Sequence, residues 1–482
     1  MPAHEPRSGR GAEPAARTAE SSADTAQSGS RAGAYFSPRT WLLPLLVLLL
    51  LGGAGSALYI GGLGSPESNL NHLPVAVVNR DQGAETPTGQ ENFGENITST
   101  MEEGFSSSEE IELRPLSWDD AQHQLRTGQV FAAVVVEEDF SESALSLVSS
   151  SLTDGDANRP QITLYTNPLA SPLASELAAD AVEPALKQAG TSLGEQLEEA
   201  ARQAQGEATE RQDAELTEAG VPAELQEQLA PKINGTSAEA LRDPIQVTET
   251  AFQKPPDGAA LGMGAFFYSV LLMVVGLSGS VTLHFLVDSR VGVLPVELGP
   301  RYVLGPRLLP ARWTNFLLKW GIAVVAGLPT AGLMMWVANA VGMPIPHGGW
   351  FFFSTWLSIV MVSAVTFALI TIFGSAGMVL SLIYVVFMGL PAATGVVPLE
   401  TLPGFFAFIA RGEPLYQMTI ANKAILYYDA EASAGLQAGL IGMGVIILVA
   451  VVLALLFSVL YDRIRGVRSA AADVEKQAAR AA

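Results

Sequence analysis

Between Trp350 and Val397 the chain runs for 48 residues without one Asp, Glu, Lys or Arg. A single helix of that length would measure about 70 Å at 1.5 Å per residue, more than twice the roughly 30 Å of a bilayer's hydrocarbon core. The tract must therefore fold back on itself. Gly374-Ser375-Ala376-Gly377 is the natural reversal point, which makes Gly374 and Gly377 the expected helix-reversal residues. The expectation is one span over 350–373 and another over 378–397.

Four further stretches reach the roughly 20 mostly apolar residues that a spanning helix needs: 41–63, 263–287, 313–340 and 436–461. The first is too long, and too far from the N-terminus, for a cleavable signal. Six spans put Arg31 and Arg39, then Arg290, Arg301, Arg307 and Arg312, then Arg463, Arg465 and Arg468 on one side of the membrane. By the positive-inside rule that side is the cytoplasm, with both termini in it and residues 64–262 outside. The loop VGMPIPHGG, on the other side, carries no Lys or Arg. The localisation expected is the cytoplasmic membrane, with lipid as the surrounding partner. Residues 1–40 lack periodicity and large apolar residues and read as a disordered cytoplasmic tail, and 462–482 as a second tail.

Charge supports two environments. The whole chain has a net charge of −21, yet the stretch from Leu63 to Gly262 holds 35 acidic and 10 basic residues, a balance of −25. The remainder is slightly positive. Acidity outside is explained by solubility, with a cation-attracting surface as the alternative. The chain has no cysteine, so no disulfide can staple the outside domain and no thiolate nucleophile exists. The five histidines are scattered without HExxH or His-x-His spacing, so neither a metal nor a cofactor is expected. No Gly-x-x-x-x-Gly-Lys-Ser/Thr loop and no Gly-x-Ser-x-Gly elbow occurs, so the chain itself does not read as an enzyme.

Outside the membrane, Pro74–Asn79, Val130–Val136 and Gln161–Thr166 are Val- or Ile-rich runs bounded by turn residues and read as strands of one buried sheet. Thr88–Met101 and Ser117–Thr127 have helical spacing, the latter with Ser117 as N-cap and two acids in its first turn. Alternating strands and helices predict an α/β sandwich. From Ser171 to Gln228 an Ala-, Glu- and Leu-rich stretch is interrupted by Pro184, Gly190, Gly206 and Pro222, predicting two or three stalk helices. Asn96 and Asn234 open glycosylation sequons, which matter only in a glycosylating host.

One span, then LPVAVVNRDQGAETPTG, then LRTGQVFAAVVVEEDFSESAL, then five more spans, resembles the YhgE/Pip (phage infection protein) family and the related nitrosoguanidine-resistance proteins. The later stretch, from ALITIFGSAG through PLETLPGFFAF to EPLYQMTIANKAI, resembles the membrane domain of ABC-2-type exporters. The resemblance implies a polytopic α-helical membrane protein of six transmembrane helices, ABC-2 permease-like, with a large α/β extracytoplasmic domain between helices 1 and 2. It implies export of an apolar or amphipathic molecule by a homodimer driven by a separate ATP-binding subunit, with no nucleic-acid partner. It also places an ATPase-coupling loop at 288–312, with Arg290, Glu297, Arg301 and Arg307 as its charged residues. An outer gate would fall on a re-entrant segment over 398–410, at Leu402, Pro403, Gly404, Phe405 and Phe406. The plain reading of those arginines is the positive-inside rule, and that of Phe405, Phe406 and Phe408 is interfacial anchoring. Arg411 and Glu413, where the family pattern has an uncharged Ser-Pro, read as an outward-facing charge pair.

Lys319, two turns into the third span, reads as a cation that snorkels to the headgroups, and Asn315 and His284 as partners of neighbouring helices near the same surface. Gly52/Ser56, Gly276/Ser280 and Gly435/Gly439 are small-residue pairs that permit close helix approach. A proton-driven exporter normally wants a carboxylate near mid-membrane, and no expected span has one there. The alternative of another class is an envelope receptor or scaffold whose outside domain binds a partner while the helices anchor it.

Overall fold

The computed structural model describes residues 69–86, 89–151, 158–219, 235–306, 308, 310–395 and 397–466, with six positions of the first apolar tract (42, 46, 49, 51, 53 and 57). The chain divides into two compact units, Met1–Leu58 and Tyr59–Ala482. In the first, the six described positions are helical. The expected N-terminal tail, residues 467–482 of the second tail, most of the first expected span, Arg307, Arg468, Asn234 and the Gly52/Ser56 pair lie outside the described residues, whereas 462–465, expected in the second tail, continue the last long helix.

The second unit opens with an α/β domain. Its central sheet has the order β4-β1-β5-β6-β7, from β1 (Leu73–Asn79), β4 (Ile111–Pro115), β5 (Ala132–Val136), β6 (Gln161–Thr166) and β7 (Gln246–Ala251). Only the β5–β6 pair is antiparallel. A short hairpin of β2 (Ala84–Thr86) and β3 (Gly89–Glu91) stands apart. β1, up to its exposed last residue Asn79, and β5 are apolar because both their faces are covered. Leu73, Val75, Ala132 and Val134 point into the larger core, while Ala76, Val78, Ala133 and Val135 point into a smaller one. This is how buried, largely parallel strands read: as continuous rather than alternating apolar runs. Helices α1 (Phe93–Phe105), α3 (Phe140–Ser151), α4 (Pro172–Glu218) and α5 (Gly235–Arg242) supply the larger core, and α2 (Trp118–Arg126) caps the smaller one.

The expected stalk of two or three helices is instead one helix of 47 residues, α4, which runs through Pro184, Gly190 and Gly206. Its N-terminal half lies against the sheet, with Ala174, Ala178, Val182, Leu186, Leu193 and Leu197 buried. Burying that stripe at about 25 cal/mol per Å² outweighs the roughly 3 kcal/mol that an internal proline costs. Gly194 is a contact surface rather than a break, since a Cβ there would lie 2.8 Å from the Leu241 carbonyl oxygen on α5.

In the helical half, four helices are long and apolar enough to cross a membrane: α6 (Gly264–Arg290), α7 (Arg312–Ala340), α8 (Gly348–Phe373) and α12 (Gln437–Arg465). α8 is the hub. Its most apolar window is 67% buried, against 28% for α6, 22% for α7 and 17% for α12. α8 ends at Gly374, whose φ of 63° suits glycine, and Gly377 then sits so close that a Cβ would meet the Leu369 carbonyl oxygen at 2.2 Å. The following helix, α9 (Ala376–Ala392), is apolar but shorter than the four, and contains a π-helical segment over Ile383–Met388. Pro391 and a Thr394 at φ 49° close it before the expected end at 397. The described residues thus carry four long apolar helices and one short one.

An enclosed helix must partner its polar groups, because lipid offers no hydrogen bonds. Ser354 Oγ donates to Asn422 Oδ1 at 2.9 Å, and Asn422 Nδ2 donates to Ser269 Oγ at 2.9 Å. Tyr268 and Thr355 share a hydrogen bond of 3.0 Å, and Ser280 Oγ donates to Ser363 Oγ at 3.0 Å. Gly276 packs on Val362, where a Cβ would come within 2.8 Å, whereas Gly279 faces open space. Gly276→Leu is expected to destabilise the helical half by about 1–3 kcal/mol, while Gly279→Leu leaves it unchanged, as read by thermal unfolding in detergent.

Candidate functional site

Asn79, Asp81 and Gly83 close β1, and Phe140-Ser141 open α3. The fold joins these two motifs. Asp81 is buried and accepts four hydrogen bonds: from Gly83 N (3.2 Å), Ser141 N (3.0 Å), Gly94 N (3.1 Å) and Ser141 Oγ (2.5 Å). Asn92 caps α1 through Glu95 N at 2.7 Å and ties back to the Asp81 carbonyl at 2.9 Å. Gly94 must be small, since a Cβ would lie 2.7 Å from both Asn79 Oδ1 and Asp81 Cβ. A carboxylate whose lone pairs are filled by four donors of its own chain organises a loop and has little capacity left for a ligand. Asp81→Ala strands those donors and is expected to cost the α/β domain at least about 2 kcal/mol, seen as a lowered unfolding midpoint.

The candidate site lies in the helical half, at the end where α6 and α7 are joined by residues 291–311. His284, Asp288, Asn315 and Lys319 are all buried there. Lys319 Nζ lies 2.7 Å from Asp288 Oδ1 and 2.9 Å from His284 Nδ1. Asn315 Nδ2 donates to Asp288 Oδ1 at 2.9 Å, and His284 Nδ1 stands 3.4 Å from Asp288 Oδ2. Lys319 is therefore held in a buried ion pair, and the expected snorkelling to the headgroups is not what the geometry gives. The sequence holds Asp288 four residues after His284, and Asn315 four before Lys319, so each pair shares one helix face. Beside the cluster opens a cavity of about 570 Å³ walled by Phe285, Leu294, Phe316, Ile370 and Met378, with Arg312 at its edge. Arg312 is ion-paired to Asp462 of α12.

Of the expected coupling residues, Arg290 ends α6, while Glu297 and Arg301 sit on an exposed two-stranded hairpin, β8 (Val296–Leu298) and β9 (Arg301–Val303). The hairpin forms because Gly299-Pro300 makes a two-residue turn, with Gly299 at φ 57°. It is pinned to α6 by Gly305, whose N–H donates to the Ser289 carbonyl at 2.6 Å. The expected gate residues divide. Leu402 and Phe406 are buried, Pro403 and Gly404 start α10 (Gly404–Ala410), and Phe405 and Phe408 face outward, 60% and 83% exposed.

Residues 411–435, for which no element was expected, hold α11 (Pro414–Tyr427), which packs against α6, α8 and α12. The signal was present in Glu413-Pro414, an N-cap acceptor followed by proline at N1. Glu413 is fully buried rather than outward-facing, and accepts from Tyr416 N at 3.0 Å. Gly389 gives it room, since a Cβ there would lie 2.5 Å from its Oε1. Lys423, on the same helix, donates to the Ala170 carbonyl of the α/β domain (2.6 Å) and to the Thr394 carbonyl (2.8 Å). It lines a cavity of about 250 Å³ with Glu400, Tyr416 and Tyr428. Burial pushes the Lys423 ammonium down to about 8, against the pull of Glu400.

Four long apolar helices and an α/β sheet region define a membrane-embedded protein with an appended α/β domain. Residues 44–453 match the family described as "Protein of unknown function (DUF3533)", and the chain belongs to it. No curated protein and no solved structure matches the chain.

Burial also pushes the Glu413 carboxyl up to about 8 from its ordinary 4.5. The folded state then holds a proton that the unfolded chain releases near 4.5, so stability is lost as pH rises from about 4.5 to 8. Lys423 acts in the separate window from about 8 to 10.5. Glu413→Gln keeps the N-cap acceptor and is expected to flatten the fall in melting temperature between pH 5 and pH 8. An equal slope in both proteins would show that Glu413 ionises freely.

Proposed function

We propose that the chain is the membrane subunit of an ABC-2-type, YhgE/Pip-like exporter. It moves an apolar or amphipathic molecule and works as a homodimer with a separate ATP-hydrolysing subunit. In this reading there are six spans, counting 41–63 and 376–392. Both termini are cytoplasmic, and the α/β domain lies outside.

The observation that carries the reading is the seam between α6 and α7. The 570 Å³ cavity beside the buried charges opens at one end of it. An apolar crevice of about 510 Å³, lined by Phe267, Leu271, Leu333 and Val337, opens at the other. A bundle that only anchors a receptor needs neither a buried charge cluster nor cavities at both ends of one helix pair. The β8–β9 hairpin, carrying Glu297 and Arg301, is the surface on which the ATPase would dock.

The test is efflux of a lipophilic dye from cells expressing the chain, together with recovery of an ATPase on the purified chain. Arg301→Glu is expected to lose the ATPase and at least tenfold of the efflux rate while the α/β domain stays folded. Function that survives replacement of all the spans by one unrelated anchor would instead establish the receptor or scaffold reading.

A further inference from the structure

Where α11 meets the α/β domain, a cavity of about 250 Å³ gathers two polar groups whose hydrogen-bonding capacity the chain leaves open. Lys423 is buried, and its ammonium donates to the Ala170 and Thr394 carbonyls at 2.6 and 2.8 Å. An ammonium has three hydrogens, so one remains for the cavity. Tyr428, which follows α11, is 7% exposed, and its hydroxyl has no hydrogen-bond partner among the described residues. Gly128 makes room for that hydroxyl. Its φ of 69° suits glycine, and a Cβ there would lie 2.6 Å from the Tyr428 oxygen. A buried hydroxyl without a partner is costly, and native folds rarely keep one without a use.

We propose that this cavity binds a small zwitterion, taking its oxyacid group on the Lys423 ammonium and the Tyr428 hydroxyl and its primary ammonium on Glu400. Lys423 and Glu400 are the two charged residues of the cavity wall, and among the described residues they make no ion pair with each other. Their opposite charges are thus both open to the cavity. A ligand that carries both charges pairs each of them and leaves the site neutral. A plain anion would leave Glu400 unpaired, and a plain cation would leave Lys423 so. The other charges that act on Glu400, Glu112 and Arg114 of β4, are bound to each other at 3.0 Å and add no net charge. Phe131, Leu399 and Ile420 supply an apolar wall for the ligand's hydrocarbon part.

Two sources carry this chemistry. A free amino acid presents a carboxylate and an ammonium, and a phosphatidylethanolamine headgroup presents a phosphate and an ammonium. Either would address the same three side chains. The wall is drawn from both halves of the second unit, Gly128 and Phe131 from the α/β domain and Ile420 and Lys423 from α11, so an occupant touches both at once. This inference does not rest on the export reading and holds whatever the chain transports.

The test uses the full chain in dodecyl maltoside, with calorimetry for free ligands and native mass spectrometry for lipids. The free probes are L-leucine and 4-methylpentanoate, which has the same carbon skeleton without the ammonium. The lipid probes are phosphatidylethanolamine and phosphatidylglycerol. Leucine, phosphatidylethanolamine or both are expected to bind, each about tenfold tighter or more than the matching probe that lacks the ammonium. Binding of leucine alone identifies a free zwitterion as the source, and binding of the lipid alone identifies a headgroup. Tyr428→Phe removes only the unpartnered hydroxyl, so it should weaken binding about fivefold while the melting temperature holds or rises. Glu400→Gln should erase the preference for the ammonium. The proposal is overturned if neither zwitterion binds, if matched probes bind equally, if Tyr428→Phe binds as the unaltered chain does, or if the preference survives Glu400→Gln. The comparison of matched probes needs only the unaltered chain, so it stands even where a variant fails to fold.

Discussion

Everything in the helical half depends on enclosing α8. An uncharged helix surrounded by others cannot be held by apolar contact alone, because lipid tails are as apolar as its neighbours. What selects one arrangement is the set of groups that lipid cannot satisfy. Ser354, Thr355 and Ser363 each meet a polar side chain from α6 or α11, and Trp356 Nε1 donates to the Val324 carbonyl of α7 at 2.9 Å. Small residues then set the spacing. Gly276 lets α6 approach Val362, and Gly439 lets α12 approach Gln417 and Ala421 on α11. Hydroxyls on the hub and glycines on its neighbours together fix a register that hydrophobicity leaves open.

That division of labour explains what could be read from the chain. The four long helices were legible because the membrane imposes a length and forbids charge, and both constraints are local. The helix break at Gly374–Ser375 falls inside the stretch marked for a turn, since a 48-residue uncharged tract leaves few places to interrupt a helix. The β1 and β5 runs were legible because burial on both faces concentrates Val and Ala in one stretch, and β6 because its alternate residues Ile162, Leu164 and Thr166 are buried. β4 and β7 were not, since IELRP and QVTETA are edge strands whose polar side chains meet water. α4 was misjudged because proline and glycine are read as breaks by local propensity, while a packed face overrides propensity. The charge cluster was hidden more deeply. His284, Asp288, Asn315 and Lys319 could each be assigned to helix ends near one surface, but nothing in their spacing says that α6 and α7 bring them together.

The two buried acids of the helical half differ in a way that separates their roles. Asp288 is matched by a lysine at 2.7 Å, so its charge is compensated within the bundle. Among the described residues Glu413 has no cation paired with it, and burial raises its carboxyl accordingly. An unmatched buried carboxyl is tolerable when it is neutral and used as an N-cap, which is how α11 begins.

α11 also decides how the two halves of the second unit can move. It packs against α6, α8 and α12, and it carries Lys423, whose ammonium bridges the Ala170 and Thr394 carbonyls. Asn71 N donates to the Glu400 carbonyl at 2.7 Å, and Tyr428 lies so close to Gly128 that a Cβ there would come within 2.6 Å of its hydroxyl. These contacts lie at three separate points of the α/β domain: before β1, after α2 and before α4. Three separate contacts oppose a swing of the domain about any one of them. The domain is thereby tied to α11 and to the turn at Leu399–Thr401 rather than hung on a free linker.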